Sequence, residues 1–174
     1  MTEETKNKDY IASFVTYVTT KIQGDTGFRA AMTRADNPDT ESQAWRYLVH
    51  FCDLGNPWQR LPLGLVGAAI ARKRVTQDGT QQLGEALRLC KQSIQDDDDS
   101  VERKLRRLLA CDSSLELVQV LRPVLQFVQK GERVSLNYAQ LLRDVLYFSE
   151  RVKLQWAKQY YGQKQEGDAC TSPE

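Results

Sequence analysis

Leu141-Leu-Arg-Asp-Val-Leu-Tyr-Phe-Ser-Glu-Arg-Val-Lys-Leu-Gln-Trp-Ala-Lys-Gln-Tyr160 decides the fold class. At about 100° per residue, Leu141, Leu142, Val145, Phe148, Val152, Trp156 and Tyr160 fall on one stripe. Arg143, Arg151 and Lys158 fall opposite, with Lys153 at the stripe's edge. The phase holds for about five turns. It predicts one long amphipathic helix, capped by Ser135 and ending near Tyr161. Trp156 and Tyr160 keep the phase of the Leu and Val positions, so they are read as core rather than as base-stacking platforms.

Upstream, Val101, Leu105, Leu108 and Leu109 oppose Arg103, Lys104, Arg106 and Arg107 on a second amphipathic helix. Four cations then share one solvent face, a usable phosphate-contacting surface. Ser113 and Glu116 form a capping box for the next helix. Pro123 is expected to kink or split that helix, and Gly131 to close it. In the first half, residues 9–23 read as a helix broken by Gly24-Asp-Thr-Gly27, leaving Arg29 and Arg34 in a loop. Asn37-Pro38 reads as a helix start, with Trp45, Leu48, Val49 and Cys52 on one face as far as Asp53. Residues 60–74 are small and apolar and read as a helix buried nearly all round, with Gly64 and Gly67 permitting close packing. Arg72, Lys73 and Arg74 complement its negative end. A turn at Gln77–Thr80 and a short helix over residues 81–94 follow.

The expected architecture is all-α. About seven to nine helices form two small packed bundles, residues 1–95 and 96–162, followed by a disordered polar tail at 163–174. Hydrophobic residues make up 41% of the chain, enough for a core. The longest apolar run, Leu61 to Ala71, is too short for the roughly 20 residues a membrane crossing needs. No signal core follows Met1–Lys8, so a soluble cytoplasmic protein is expected.

The formal net charge of +1 argues against a polybasic tail protein and against an acidic disordered chain. The sum hides segregation. Residues 103–164 carry twelve Lys+Arg against five Asp+Glu, whereas residues 76–102 carry two against seven. The basic block points toward a polyanionic partner or to a solvated helical surface.

No phosphate-binding loop, His-Glu-x-x-His motif or dinucleotide fingerprint is present. One histidine, His50, and dispersed Cys52, Cys90, Cys111 and Cys170 do not make zinc-ligand spacing. The first three cysteines read as core fillers and Cys170 as an exposed thiol. Asp96–Asp99 reads as dipole-offsetting and capping acids ahead of a helix rather than as a metal site. No catalytic residue, metal or cofactor is therefore expected.

The ordered stretches resemble the CasB family, the small subunit of the type I-E CRISPR Cascade surveillance complex. The resemblance rests on Ala44-Trp-Arg-Tyr-Leu-Val49 with Gly55-Asn-Pro57, and on Gln82-Leu-Gly-Glu-Ala-Leu87. It continues through Glu102-Arg-Lys-Leu-Arg-Arg-Leu-Leu-Ala110 and Leu115–Leu125. It ends with Leu136-Asn-Tyr-Ala-Gln-Leu-Leu-Arg143, Tyr147–Lys153 and Trp156. It covers about residues 10–161.

The resemblance implies a non-catalytic protein of two helical bundles. Two copies would lie head to tail beside the repeated backbone subunit and the large subunit. They would support the guide RNA–target DNA hybrid and the displaced strand of the R-loop. By position it assigns nucleic-acid contact to Arg29, Arg34, Arg46, Arg103, Lys104, Arg107, Arg143 and Arg151. Arg106 and Lys153 join them from the helical projection. The competing readings are a helical adaptor that docks acidic protein surfaces, and a small nuclease using the Asp run.

Overall fold

The computed structural model describes residues 3–93 and 99–162. Asp96–Asp98, the tail from residue 163 and Cys170 lie outside the described residues. Nine α-helices occur among the described residues: α1 (Glu3–Gly24), α2 (Thr26–Thr33), α3 (Trp45–Leu48), α4 (Pro57–Lys73), α5 (Leu83–Ser93), α6 (Ser100–Leu109), α7 (Ser114–Val128), α8 (Tyr138–Leu146) and α9 (Glu150–Tyr161). A 3-10 turn over Glu41–Ala44 runs into α3. No strand occurs among the described residues, only a single parallel bridge between Gln81 and Leu136. The all-α expectation holds.

The molecule is arranged around α4. Asn56 accepts the Trp58 amide at 3.0 Å and Pro57 fills the first turn, so the helix starts where an N-cap and a preset φ coincide. Every residue from Pro62 to Ala71 is buried. The sequence of small and aliphatic side chains explains how: α1, α2, α3, α7 and α8 all pack on α4 and leave this stretch no solvent face. A Cβ built at Gly64 would stand 2.6 Å from the Ala35 carbonyl oxygen, and one at Gly67 2.6 Å from the Met32 sulfur. Both glycines therefore set how near the segment carrying α2 approaches. Packing continues without a gap into the second half, where α5 lies along α9 and α6 rests on α5, α7 and α9.

Long-range polar contacts fix the helices in register. The Asp78 carboxylate accepts the Tyr138 and Ala139 amides at 2.6 and 3.2 Å, so a turn 60 residues upstream helps cap α8. Asn137 completes that cap on the Gln140 amide at 2.8 Å. Gln129 donates to the Ala69 carbonyl (2.7 Å) and to the Tyr138 hydroxyl (2.8 Å), joining α4, α7 and α8. Asp36, with its side chain 1% exposed, is clamped by Arg72 at 2.7 Å and Arg122 at 3.3 Å. Arg72 thus serves an ion pair as well as the helix end.

Several sequence expectations need correction. The last long helix is two helices. Tyr147–Ser149 interrupts it, with Ser149 in extended conformation, and the cap of α8 is Asn137 rather than Ser135. The cause is visible in one bond. Trp156 Nε1 donates to the Asp144 carboxylate at 2.9 Å. Twelve residues of straight helix would separate these groups by about 18 Å, so the chain bends between α8 and α9, and α9 packs chiefly on α5. The apolar stripe survives the break: Leu141, Leu142, Val145, Val152, Trp156 and Tyr160 are buried.

No helix runs from Pro38 to Asp53. The Asn37 carbonyl accepts the amides of Thr40 and Glu41, and its side chain accepts that of Asp39, a local turn network that competes with helix. The face predicted there breaks up: Leu48 is buried, but Trp45 and Val49 are 38% and 52% exposed. Arg29 lies on α2, not in a loop, because Asp25 caps that helix on the Phe28 amide at 2.8 Å. Pro123 does not split α7. Pro123 and Gln119, whose carbonyl loses its amide partner, are both exposed, and water can serve that oxygen. Asp99 stands at the N-cap of α6 without a side-chain capping bond, so the capping role expected there is not made by Asp99.

Two outcomes follow for stability. Gly64→Ala should lower the urea-unfolding free energy by about 1–3 kcal/mol, because its methyl meets backbone rather than a flexible side chain. Burial raises the Asp144 carboxyl above its ordinary value, although the Trp156 and Gln140 hydrogen bonds and Arg143 oppose the shift. A raised carboxyl binds protons better in the folded chain, so its contribution declines as pH climbs from the ordinary aspartate range through the raised value. Asp144→Asn should flatten that slope and keep the Trp156 bond. Asp144→Ala should cost about 1–3 kcal/mol by orphaning the buried indole N–H.

Candidate nucleic-acid interface

Electrostatic usefulness to a polyanion depends on what already holds each cation. A guanidinium set by a neutral acceptor is oriented and keeps its charge, whereas one set by a carboxylate is partly neutralised. The structure sorts the ten expected residues on this criterion.

In the first half, Arg34 and Arg46 line one shallow concavity of about 420 Å³ with Gly27, Ala30, Ala31, Ser42 and Gln43. Arg34 Nη1 donates to Gln43 Oε1 at 3.0 Å. Arg46 Nη2 donates to the Tyr47 hydroxyl at 2.5 Å, and its guanidinium stacks on the Tyr47 ring at 4.6 Å. The far end of this arrangement is Lys21, whose ammonium lies 5.2–5.3 Å from the centroids of Tyr17, Phe28 and Tyr47 and hydrogen-bonds the Tyr17 hydroxyl at 3.2 Å. Cation–π contacts of this kind contribute about 0.5–1 kcal/mol each at exposed sites. The small residues Gly27, Ala30 and Ala31 leave the α2 backbone open to close approach by a ligand. Arg29 sits on the same helix, half-buried, but does not line the concavity.

In the second half, α6 buries Val101, Leu105 and Leu108, and this orients its charged residues outward. Lys104 lies with its ammonium 4.6 Å from the Phe127 ring centroid and shares a notch with Arg107, Val120, Pro123 and Val124. The Arg107 side chain has no hydrogen-bond or carboxylate partner among the described residues, and the same holds for Arg29 and Arg151. Arg103 is exposed on α6. Arg143 donates to Gln140 Oε1 at 2.9 Å, again a neutral partner. Two residues fall in the other class. Arg106 Nη2 bonds Glu102 Oε1 at 2.6 Å, a carboxylate that also accepts the Tyr161 hydroxyl at 3.1 Å. These contacts hold the Glu102 carboxyl below its ordinary value, the Tyr161 hydrogen bond first and Arg106 after it. Lys153 stands 3.8 Å from Glu150 and over the Phe148 ring.

The structure brings Arg34 together with Arg46, and Lys104 together with Arg107. Burial and the acids Glu116 and Asp112 push the Cys111 thiol up, while Lys153 and Arg107 oppose this. No hydrogen bond or common concavity joins Arg143 or Arg151 to the other eight among the described residues. Sequence reasoning missed Lys21, Gln43 and Tyr47. The Arg46-Tyr47 adjacency was a readable signal, but the Lys21–Tyr47 meeting depends on tertiary packing.

The Cse2 family model of CRISPR-associated proteins matches residues 28–161. The chain belongs to the Cse2 family. A CRISPR-associated protein of the Cse2 family from Thermus thermophilus is 26% identical, with a TM-score of 0.67 over 93% of this chain and 99% of that one. A CasB structure from the same organism is 27% identical, with a TM-score of 0.65 and the same coverage. A chain of a CRISPR RNA-guided surveillance complex shares the fold at 18% identity, with a TM-score of 0.69 over 89% of this chain and 92% of that one. No curated protein matches the chain. The CasB resemblance read from the ordered motifs is therefore correct.

Among the described residues no group of three or more His, Cys, Asp or Glu side chains could hold a metal ion. No described helix is long and apolar enough to cross a membrane. Burial raises the thiols of Cys52, Cys90 and Cys111, so none is poised as a nucleophile. In a Cys170→Ser variant, maleimide labelling of these three should be slower than in the denatured chain. It should accelerate only as pH passes the ordinary thiol value.

Proposed function

We propose that the chain is a non-catalytic small subunit of a type I-E Cascade complex, acting in the cytoplasm in RNA-guided antiviral defence. It holds nucleic acid by its backbone through cations on two helical faces. Family membership over residues 28–161 supports the assignment to a CRISPR complex. The observation that carries the nucleic-acid reading is the Arg34–Arg46 concavity, where both guanidiniums are aimed by neutral acceptors and keep their charge.

Such a surface contacts phosphates without reading bases, because sequence recognition in RNA-guided systems is delegated to base pairing. In this reading the cations support the guide RNA–target DNA hybrid and retain the displaced DNA strand. Copies of the chain stand head to tail, beside the repeated backbone subunit and the large subunit. Arg29, Arg34, Arg46, Lys104, Arg107, Arg143 and Arg151 carry the contacts, with Arg103 on the same helix as Lys104 and Arg107. Arg106 and Lys153 contribute less, because Glu102 and Glu150 already occupy them.

Anisotropy titrations of the chain with single-stranded DNA over a salt series test this. The affinity should fall with salt by about 0.7 log units per log unit of salt for each phosphate contacted. Arg34→Ala combined with Arg46→Ala should reduce the slope by about twice that amount. Arg106→Ala should leave both affinity and slope within about twofold of the parent, the modest effect expected of an exposed paired charge. An adaptor that docks only acidic proteins would bind no DNA at any salt. A double variant indistinguishable from the parent would contradict the reading.

A further inference from the structure

The geometry points to a seat for a single nucleobase in the notch between α6 and α7. This inference rests on the backbone-holding function proposed above and adds to it a contact with the base. The notch encloses about 100 Å³ and is lined by Lys104, Arg107, Val120, Pro123 and Val124. Its floor is entirely apolar: Val124 is buried, Val120 half-buried, and Pro123 offers its ring to solvent. Its rim is entirely cationic. Neither of the other two concavities described among these residues has this pairing. The Arg34–Arg46 concavity has polar walls, Ser42 and Gln43. The larger cleft of about 530 Å³ between the ends of α5 and α7 mixes Lys130 and Arg133 with Glu132.

The ligand chemistry follows from the lining. An apolar space of about 150 Å³ accommodates benzene, so a notch of about 100 Å³ open to solvent takes only the edge of one flat ring and leaves the rest of the base outside, against Pro123. A ring with no charge of its own, carried on an anionic chain, meets both the floor and the rim. An unpaired base on a single strand has that composition, and its flanking phosphates would lie at Arg107 and Lys104.

Lys104 is pre-set for the task. Its ammonium is held over the Phe127 ring and against the Ser100 carbonyl at 3.5 Å, neither of which cancels its charge. Arg107 has no carboxylate partner among the described residues and can turn toward a phosphate. Pro123 gains a role here. A proline inside a helix costs a backbone hydrogen bond, yet at this exposed position it supplies a rigid apolar plate at the mouth of the notch. The seat is indifferent to base identity, since no donor or acceptor side chain lines the floor. It acts only on unpaired strands, because a paired base cannot leave its stack to enter. The displaced strand is therefore its occupant, rather than the hybrid.

The test compares an oligothymidine with an abasic single strand of equal length and charge, by anisotropy at low salt. The parent chain should bind the base-bearing strand about three- to tenfold more tightly, no more than the low end of stacking on an aromatic side chain, because the notch offers only aliphatic and proline surface. Val120→Leu, which narrows the notch without adding an aromatic stacking surface, should weaken that preference without changing the salt slope. Pro123→Ala, which removes the plate and favours helix, should weaken the preference in a chain at least as stable as the parent. Lys104→Ala and Arg107→Ala should lower binding of both strands and reduce the slope. Equal binding of abasic and base-bearing strands by the parent overturns the base seat while leaving the backbone function intact. An absence of salt-dependent binding to either strand overturns the backbone function itself. A preference that persists undiminished in both Val120→Leu and Pro123→Ala assigns base contact elsewhere and overturns the notch.

Discussion

Ten consecutive residues of α4, Pro62 to Ala71, are buried, and the remainder of the molecule is arranged to keep them so. A helix buried on every side must be narrow, since each neighbour needs its own line of approach. Ala68, Ala69 and Ala71 keep it narrow, and Gly64 and Gly67 bring Ala35 and Met32 within distances that a side chain would forbid. The aliphatic members supply the driving force, about 1.5–3 kcal/mol for each fully buried Leu, Ile or Val side chain. Five helices pack on this one element. Two of them, α2 and α7, continue directly into the candidate interface.

The polar cross-links then convert a packed bundle into a specific one. Apolar contacts are tolerant of sliding, but Asp78 at the start of α8, Gln129 between α4 and Tyr138, and Asp144 on Trp156 each permit one register. Burial pushes the Tyr138 hydroxyl up to about 12, so it stays a neutral partner for Gln129 throughout the physiological range. Asp36 ties Arg72 of α4 to Arg122 of α7 and anchors the segment that leads from α2 to the 3-10 turn. The Arg34–Arg46 concavity spans that same segment. Its geometry therefore depends on a buried carboxylate held by two partly exposed arginines. The division of labour is plain in the charges: Arg72 and Arg122 are consumed by structure, whereas Arg34 and Arg46 are aimed outward by neutral groups.

Much of this was legible in the residues. The all-α class, the burial of residues 62–71 within the expected 60–74, the close-packing role of Gly64 and Gly67 and the α6 face followed from periodicity and side-chain size. These signals are local and strong. What failed was local too, but overridden. The stripe from Leu141 to Tyr160 keeps its phase through Tyr147–Ser149 because α8 and α9 each bury their apolar side on either side of the bend, so periodicity could not reveal the break. The Asn37-Pro38 start was sound chemistry for a helix, yet the Asn37 carbonyl and side chain closed tighter turns. Among the cations, the helical projection put Arg103, Arg106 and Arg107 on the exposed side of α6 but did not give their partners. Arg103, Lys104, Arg106 and Arg107 look alike in a helical projection. Only the fold places Glu102 and Tyr161 on Arg106 and leaves Arg107 beside an apolar notch.

The central claim is that cations held by neutral partners retain a nucleic-acid backbone once the chain sits in its complex. The most direct measurement is the lifetime of the R-loop in a reconstituted surveillance complex carrying Arg34→Glu with Arg46→Glu, followed over a salt series against the parent. The account predicts a lifetime shortened by about tenfold or more at low salt, with parent and variant converging as salt screens the contacts. A lifetime indifferent to the charge reversal, in a complex that still contains the variant chain, would contradict it.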